Sequence, residues 1–124
     1  MIKMTMLLKR NPELTHEQFV QHHIEKHGPL FRQIPEASAH VLCYIQTHPS
    51  AVHSAADSED DFDGTAEIWF DDADGLVKVL NSEFYQQQVY PDELTFLDHE
   101  HTLTTIGEQS VIIPARQNLK AELL

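Results

Sequence analysis

Gly64-Thr65-Ala66-Glu67-Ile68-Trp69-Phe70-Asp71 alternates as a strand with one buried face does. Ala66, Ile68 and Phe70 form the apolar parity, and Glu67 and Trp69 form the other, beside Thr65. A carboxylate between strand-buried neighbours needs a partner or a raised pKa. Just before this strand, Ser50–Asp63 is polar and carries Asp57, Glu59, Asp60, Asp61 and Asp63. It reads as a solvated loop, since neither the ligand spacing nor the closing Glu of a calcium-binding EF-hand is there. His40–His48 reads as a second strand, antiparallel to the first. Its parity Val41, Cys43, Ile45 and Thr47 is assigned to the helix-covered face. The other parity, His40, Leu42, Tyr44, Gln46 and His48, suits a wet cavity.

Further out lie the helices and the remaining strands. Ile2–Lys9 is a strand, Asn11-Pro12-Glu13 a turn, and Thr15 with Gln18 a capping box. The helix that follows carries a stripe of Val20, Ile24, Phe31 and Ile34, with His27 in it. Pro29 should end or kink that helix, leaving His27 inward-facing at a helix C-terminus. Such a histidine is either hydrogen-bonded in the core or a proton carrier near neutral pH. Pro29–Ile34 forms a short second piece, stopped by Pro35. Beyond Phe70, Asp71-Asp72-Ala73-Asp74 starts another helix, Ser82 can cap a third, and Pro91-Asp92-Glu93 starts a turn or a single helical turn. Thr102–Gly107 is a fourth strand, and Val111-Ile112-Ile113 adds to it or faces a partner.

The order strand, helix, strand, strand, helix, strand is the ferredoxin-like βαββαβ pattern, an α+β fold with a four-stranded antiparallel sheet. One domain over residues 1–113 and a tail over 114–124 accommodate the 124 residues. The sheet face away from the helices is expected to carry Trp69, Tyr44 and Leu42. Covering it calls for a homodimer whose sheets pack face to face or close into a barrel. A formal net charge of -12, with only 8 Lys and Arg, argues against nucleic acid and anionic membranes. No apolar run is long enough to span a bilayer, and the single Cys43 suits the cytoplasm.

The chain resembles the EthD family, within the dimeric α/β-barrel superfamily. The residues that carry the likeness are Leu7-Leu8-Lys9-Arg10, Thr15-His16-Glu17-Gln18-Phe19, His27-Gly28-Pro29-Leu30, Asp63–Phe70 and Asp92–Asp98. The resemblance implies a ferredoxin-like protomer and a barrel-forming dimer. It transfers the fold better than the reaction, because the superfamily holds dehydratases, lactone isomerases, cyclases, monooxygenases and haem enzymes. Two departures stand out: His22 or His23 replaces a usual aromatic, and the acidic stretch is longer, as a lid would be. His27 matches the family's motif histidine. With His48 and Asp92 it is expected to do acid/base work, and Tyr44, Glu67, Trp69, His23 and Tyr85 are expected to touch substrate. The reaction expected is a dehydration or isomerisation of a hydrophobic oxygenated compound, aromatic or polyketide-like, without cofactor or metal. Two alternatives stand beside it: a noncatalytic small-ligand-binding protein, and a haem-binding or oxygenase relative. His23 and His27 are four apart, but Ile24 stands where a His-Glu-x-x-His zinc motif needs Glu.

Overall fold

A computed structural model describes residues 1–50 and 61–123. β1 (Ile2–Leu8), β2 (Val41–Thr47), β3 (Gly64–Phe70) and β4 (Leu103–Gly107) form one antiparallel sheet in the order β2-β3-β1-β4. The helical segments are α1 (His16–His22), α2 (Gly28–Arg32), α3 (Ala37–His40), α4 (Ala73–Leu80), α5 (Tyr90–Phe96) and α6 (Gln117–Leu123). The βαββαβ order holds. The expected solvated loop and lid fall largely on residues 51–60, outside the described residues.

β3 keeps the expected division: Ala66, Ile68 and Phe70 are buried beneath the helices. β2 reverses it. Tyr44 stands opposite Ile68 and Gln46 opposite Ala66, so both lie under the helices, while Cys43 and Ile45 share the open face with Trp69 and Glu67. A register shift between Val41 and Cys43 helps to hide this parity from the sequence, and it leaves Leu42 exposed. On the open face the Lys3 ammonium lies over the Trp69 ring at 4.5 Å and pairs with Glu67. The Trp69 indole N–H donates to Gln109 at 2.8 Å.

α1 begins at the expected capping box: Gln18 N–H donates to Thr15 Oγ1, and Thr15 N–H to Gln18 Oε1. The helix does not end at Gly28-Pro29. His27 and Gly28 keep right-handed helical angles, and the chain passes through a π-helical turn, His23–His27, straight into α2. In that turn Gly28 N–H reaches back five residues to His23 C=O. The wider turn gives the Pro29 ring, which has no N–H to spend, room inside a continuous helix. The same device recurs before Pro91. A π-helical turn over Tyr85–Val89 runs into α5, and Tyr90 N–H bonds Tyr85 C=O. Pro91 therefore continues a helix rather than opening a lone turn.

The buried stripe keeps His27, Phe31 and Ile34 as expected, but its first two members are displaced by one residue, from Val20 and Ile24 to Phe19 and His23. Phe19, His23, His27 and Phe31 face the core, while Ile24 is half exposed. The tail contains the helix α6, and Val111, Ile112 and Ile113 add no strand and stand exposed.

Asp63 departs from the solvated-loop expectation. It is fully buried, accepting from Arg10 N–H (2.9 Å), Arg10 Nη1 (2.7 Å) and His16 Nδ1 (2.8 Å). It ties the start of β3 to the end of β1.

Candidate active site between the helices and the sheet

The π-helical turn puts His27 beneath the helices, facing the N-terminal turn of α5. Its Nδ1 lies 2.9 Å from Asp92 Oδ2. An ionised carboxylate only accepts, so Nδ1 carries the proton and Nε2 is left bare when the ring is neutral. His22 Nε2 also donates to Asp92, at 3.0 Å, and Lys26 stands 3.7 Å away. Burial works to raise the Asp92 pKa. The bonds from His27 and His22 outweigh it and hold the carboxyl below its usual range. Burial likewise pushes His27 down, against the pull of Asp92, and so favours the neutral ring.

His27 Nε2 faces Glu93 Oε1 at 4.0 Å. Glu93 is buried, and its pKa is pushed up to about 7, mainly by burial and further by the Asp92 charge, although Tyr85 Oη donates to it at 2.9 Å. The Tyr85 phenol is pushed up in turn, by burial first and by Glu93 next. The two faces of this pair differ in kind: one is a base kept neutral, the other an acid that holds its proton toward neutrality. Between them, Met6, Tyr44, Ile68 and Phe96 help to enclose a void of about 20 Å³. That is the size of one water-sized group.

His23 and His48 belong to a neighbouring arm. Their rings are hydrogen-bonded, Nδ1 to Nε2, at 2.8 Å. Burial, then the His48, His27 and His22 charges, push His23 down to about 3. His23 is therefore a neutral core group, and His48 reaches the His27 pair only through it. Gln46 Nε2 donates to His23 C=O at 2.8 Å and to Tyr44 Oη at 3.1 Å. A Cβ on Gly28 would sit 3.1 Å from that amide, so glycine keeps the approach open. A Cβ on Gly64 would fall 2.9 Å from His48 Cδ2.

Of the residues singled out from sequence, His27, Asp92, Tyr44, His23 and Tyr85 gather around this void or its immediate partners. His48 sits one ring further off. Glu67 and Trp69 are on the opposite face of the sheet, because strand alternation sends them away from Ile68 and Phe70. Two contributors went unread: Glu93, which looked like helix-start punctuation, and Phe96, whose ring stacks on His22 at 4.6 Å and lies 4.9 Å from His27.

The EthD-domain family model matches residues 11–100, a span that contains His22, His23, His27, Asp92 and Glu93. The chain belongs to the EthD family. A solved EthD (ethyl tert-butyl ether D) family protein from Bacillus halodurans C-125 has a similar fold. Its TM-score is 0.66 at 24% identity, over 89% of this chain and 99% of that one. No curated protein matches. In this EthD-family chain the buried histidines offer no shared metal geometry: His23 is spent on His48 and His27 on Asp92. The void at His27 Nε2 is also far too small for a haem macrocycle. Among the described residues, one group has ligand atoms close enough for an ion, Asp98, Glu100 and His101. It lies ahead of β4, with Glu100 and His101 exposed and Asp98 partly so. No helix among the described residues is long and apolar enough to cross a membrane.

Proposed function

We propose that this EthD-family protein is a cofactor-independent lyase or isomerase. It acts by proton transfer on a hydrophobic oxygenated compound, with His27 as base and Glu93 as acid. The observation that carries the reading is the Asp92–His27–Glu93 line, with a bare Nε2 and a proton-bearing carboxyl facing each other across a void. In a dehydration, His27 Nε2 takes the proton from carbon next to a carbonyl. The released C–H pair forms the C=C bond, the C–O bond of the β-hydroxyl breaks, and Glu93 gives that oxygen its proton, so water leaves. The proton on His27 then returns to Glu93, which restores both groups. In an isomerisation the same proton is handed back at another carbon. Asp92 holds the imidazole in the required tautomer and steadies its charged form.

The test is turnover of β-hydroxy ketones, followed by enone absorbance. His27→Ala and Glu93→Gln are each expected to lower kcat by about 10²–10⁴-fold. Equal rates in wild type and His27→Ala remove the mechanism. A second reading, a protein that binds a small ligand without turnover, draws support from the void's size, which leaves no room at His27 for a substrate to react.

The proposal includes a homodimer in a cytoplasmic setting. Its support is the apolar surface a second copy would cover: Leu103 on the open sheet face and Val111, Ile112 and Ile113 beyond it, all more than half exposed. Sedimentation at micromolar concentration should give twice the protomer mass; a protomer mass removes the dimer.

A further inference from the structure

The buried void has a wide neighbour. α2, α3 and β2 border a groove of about 520 Å³. Ile24, Phe31 and Val41 give it apolar walls. Phe31 and Tyr44 line the groove on one side and the buried void on the other, and their rings meet edge to face at 5.0 Å. These two side chains are the partition between the outside and His27.

The charge around the groove is as telling as its shape. The chain carries 20 Asp and Glu against 8 Lys and Arg, yet no carboxylate lines the groove and one guanidinium does, that of Arg32. Arg32 is exposed, and among the described residues no acceptor engages it. A guanidinium with five donors and no partner, set beside an apolar trough, matches a planar monoanion better than a phosphate. A dianion would need further cations in a protein this acidic.

We propose that the groove binds an amphipathic carboxylate, its flat apolar body along Ile24, Phe31 and Val41 and its carboxylate on Arg32. The end opposite the carboxylate abuts Phe31 and Tyr44, and rotation of those rings admits it to His27 and Glu93. This last step rests on the acid/base reading above; the binding step does not.

The experiment compares two fluorescent probes of one shape, pyrenebutyrate and the neutral pyrenebutanol. They are titrated into wild type, Arg32→Gln and Ser38→Trp. Arg32 and Ser38 are both exposed, so the folds should survive, and circular dichroism checks this. Wild type should bind the carboxylate about tenfold more tightly than the alcohol, a ratio that Arg32→Gln abolishes. Ser38→Trp fills the groove and should weaken both probes. The probes report binding without any turnover, so binding can hold even if turnover fails. No binding, equal binding of the two probes by wild type, a ratio that survives Arg32→Gln, or indifference to Ser38→Trp each overturns the proposal. So does expulsion of the probe as protein concentration rises, which would give the groove to a second copy.

Discussion

Glu93→Gln should make the protein more stable at pH 8, by up to about 3 kcal/mol, while costing it turnover. The folded carboxyl sits near 7 instead of the ordinary 4.5, chiefly because it is buried. The native state therefore keeps a proton that the unfolded chain gives up. In wild type, stability from this group is fully present below about 4.5 and lost as pH rises through about 7. Glutamine fills the same space, still accepts from Tyr85, and has nothing to ionise. Urea midpoints of the two proteins should coincide in acid and separate in base. A gap independent of pH would mean that Glu93 is an ordinary carboxylate, and it would lose its role as proton donor. A residue whose removal strengthens the fold and weakens the chemistry is what a strained functional group looks like.

Asp63→Ala should have the opposite sign and a comparable size, a loss of about 3 kcal/mol at neutral pH. The carboxylate is fully buried, and its removal strips Arg10 and His16 of their common anion. Burial acts to raise its pKa. Bonds from the Arg10 backbone, His16 and the Arg10 guanidinium outweigh burial, and the net displacement is downward. Its contribution is therefore present above the ordinary value of 3.8 and fades as pH falls through the depressed one. Denaturation of wild type and variant should show a gap at pH 7 that narrows in strong acid. No gap at pH 7 would show that the buried anion does not hold the end of the sheet together.

The sequence was most legible where one physical demand acted alone. β3 has a buried apolar parity and a mixed one, and the structure keeps that division residue by residue. β2 carries apolar groups on both parities, lies at a sheet edge and shifts register after Val41, so its alternation could not say which side faces the helices. That ambiguity misplaced Tyr44 relative to Trp69 and joined two faces of the sheet into one imagined cavity. The first helix misled in a related way. Val20 and Ile24 are apolar, but the core takes Phe19 and His23 in their place, beside the expected His27 and Phe31, because hydrogen bonds to His48 and Asp92 make two histidines acceptable inside. Those partners are distant in sequence. Glu93 was hidden by its setting: an acidic pair after proline is ordinary at a helix start, and only the fold reveals that Glu93 turns inward along with Asp92.

Each five-residue turn ahead of Pro29 and Pro91 amounts to one supernumerary residue in an otherwise regular coil. Deleting a residue from either would restore ordinary winding. Everything on one side would then swing by about 100° relative to the other. A homologue that keeps this site should therefore keep both extra residues. A homologue with a gap at the first would aim its counterpart of His27 elsewhere, however well the surrounding letters agree.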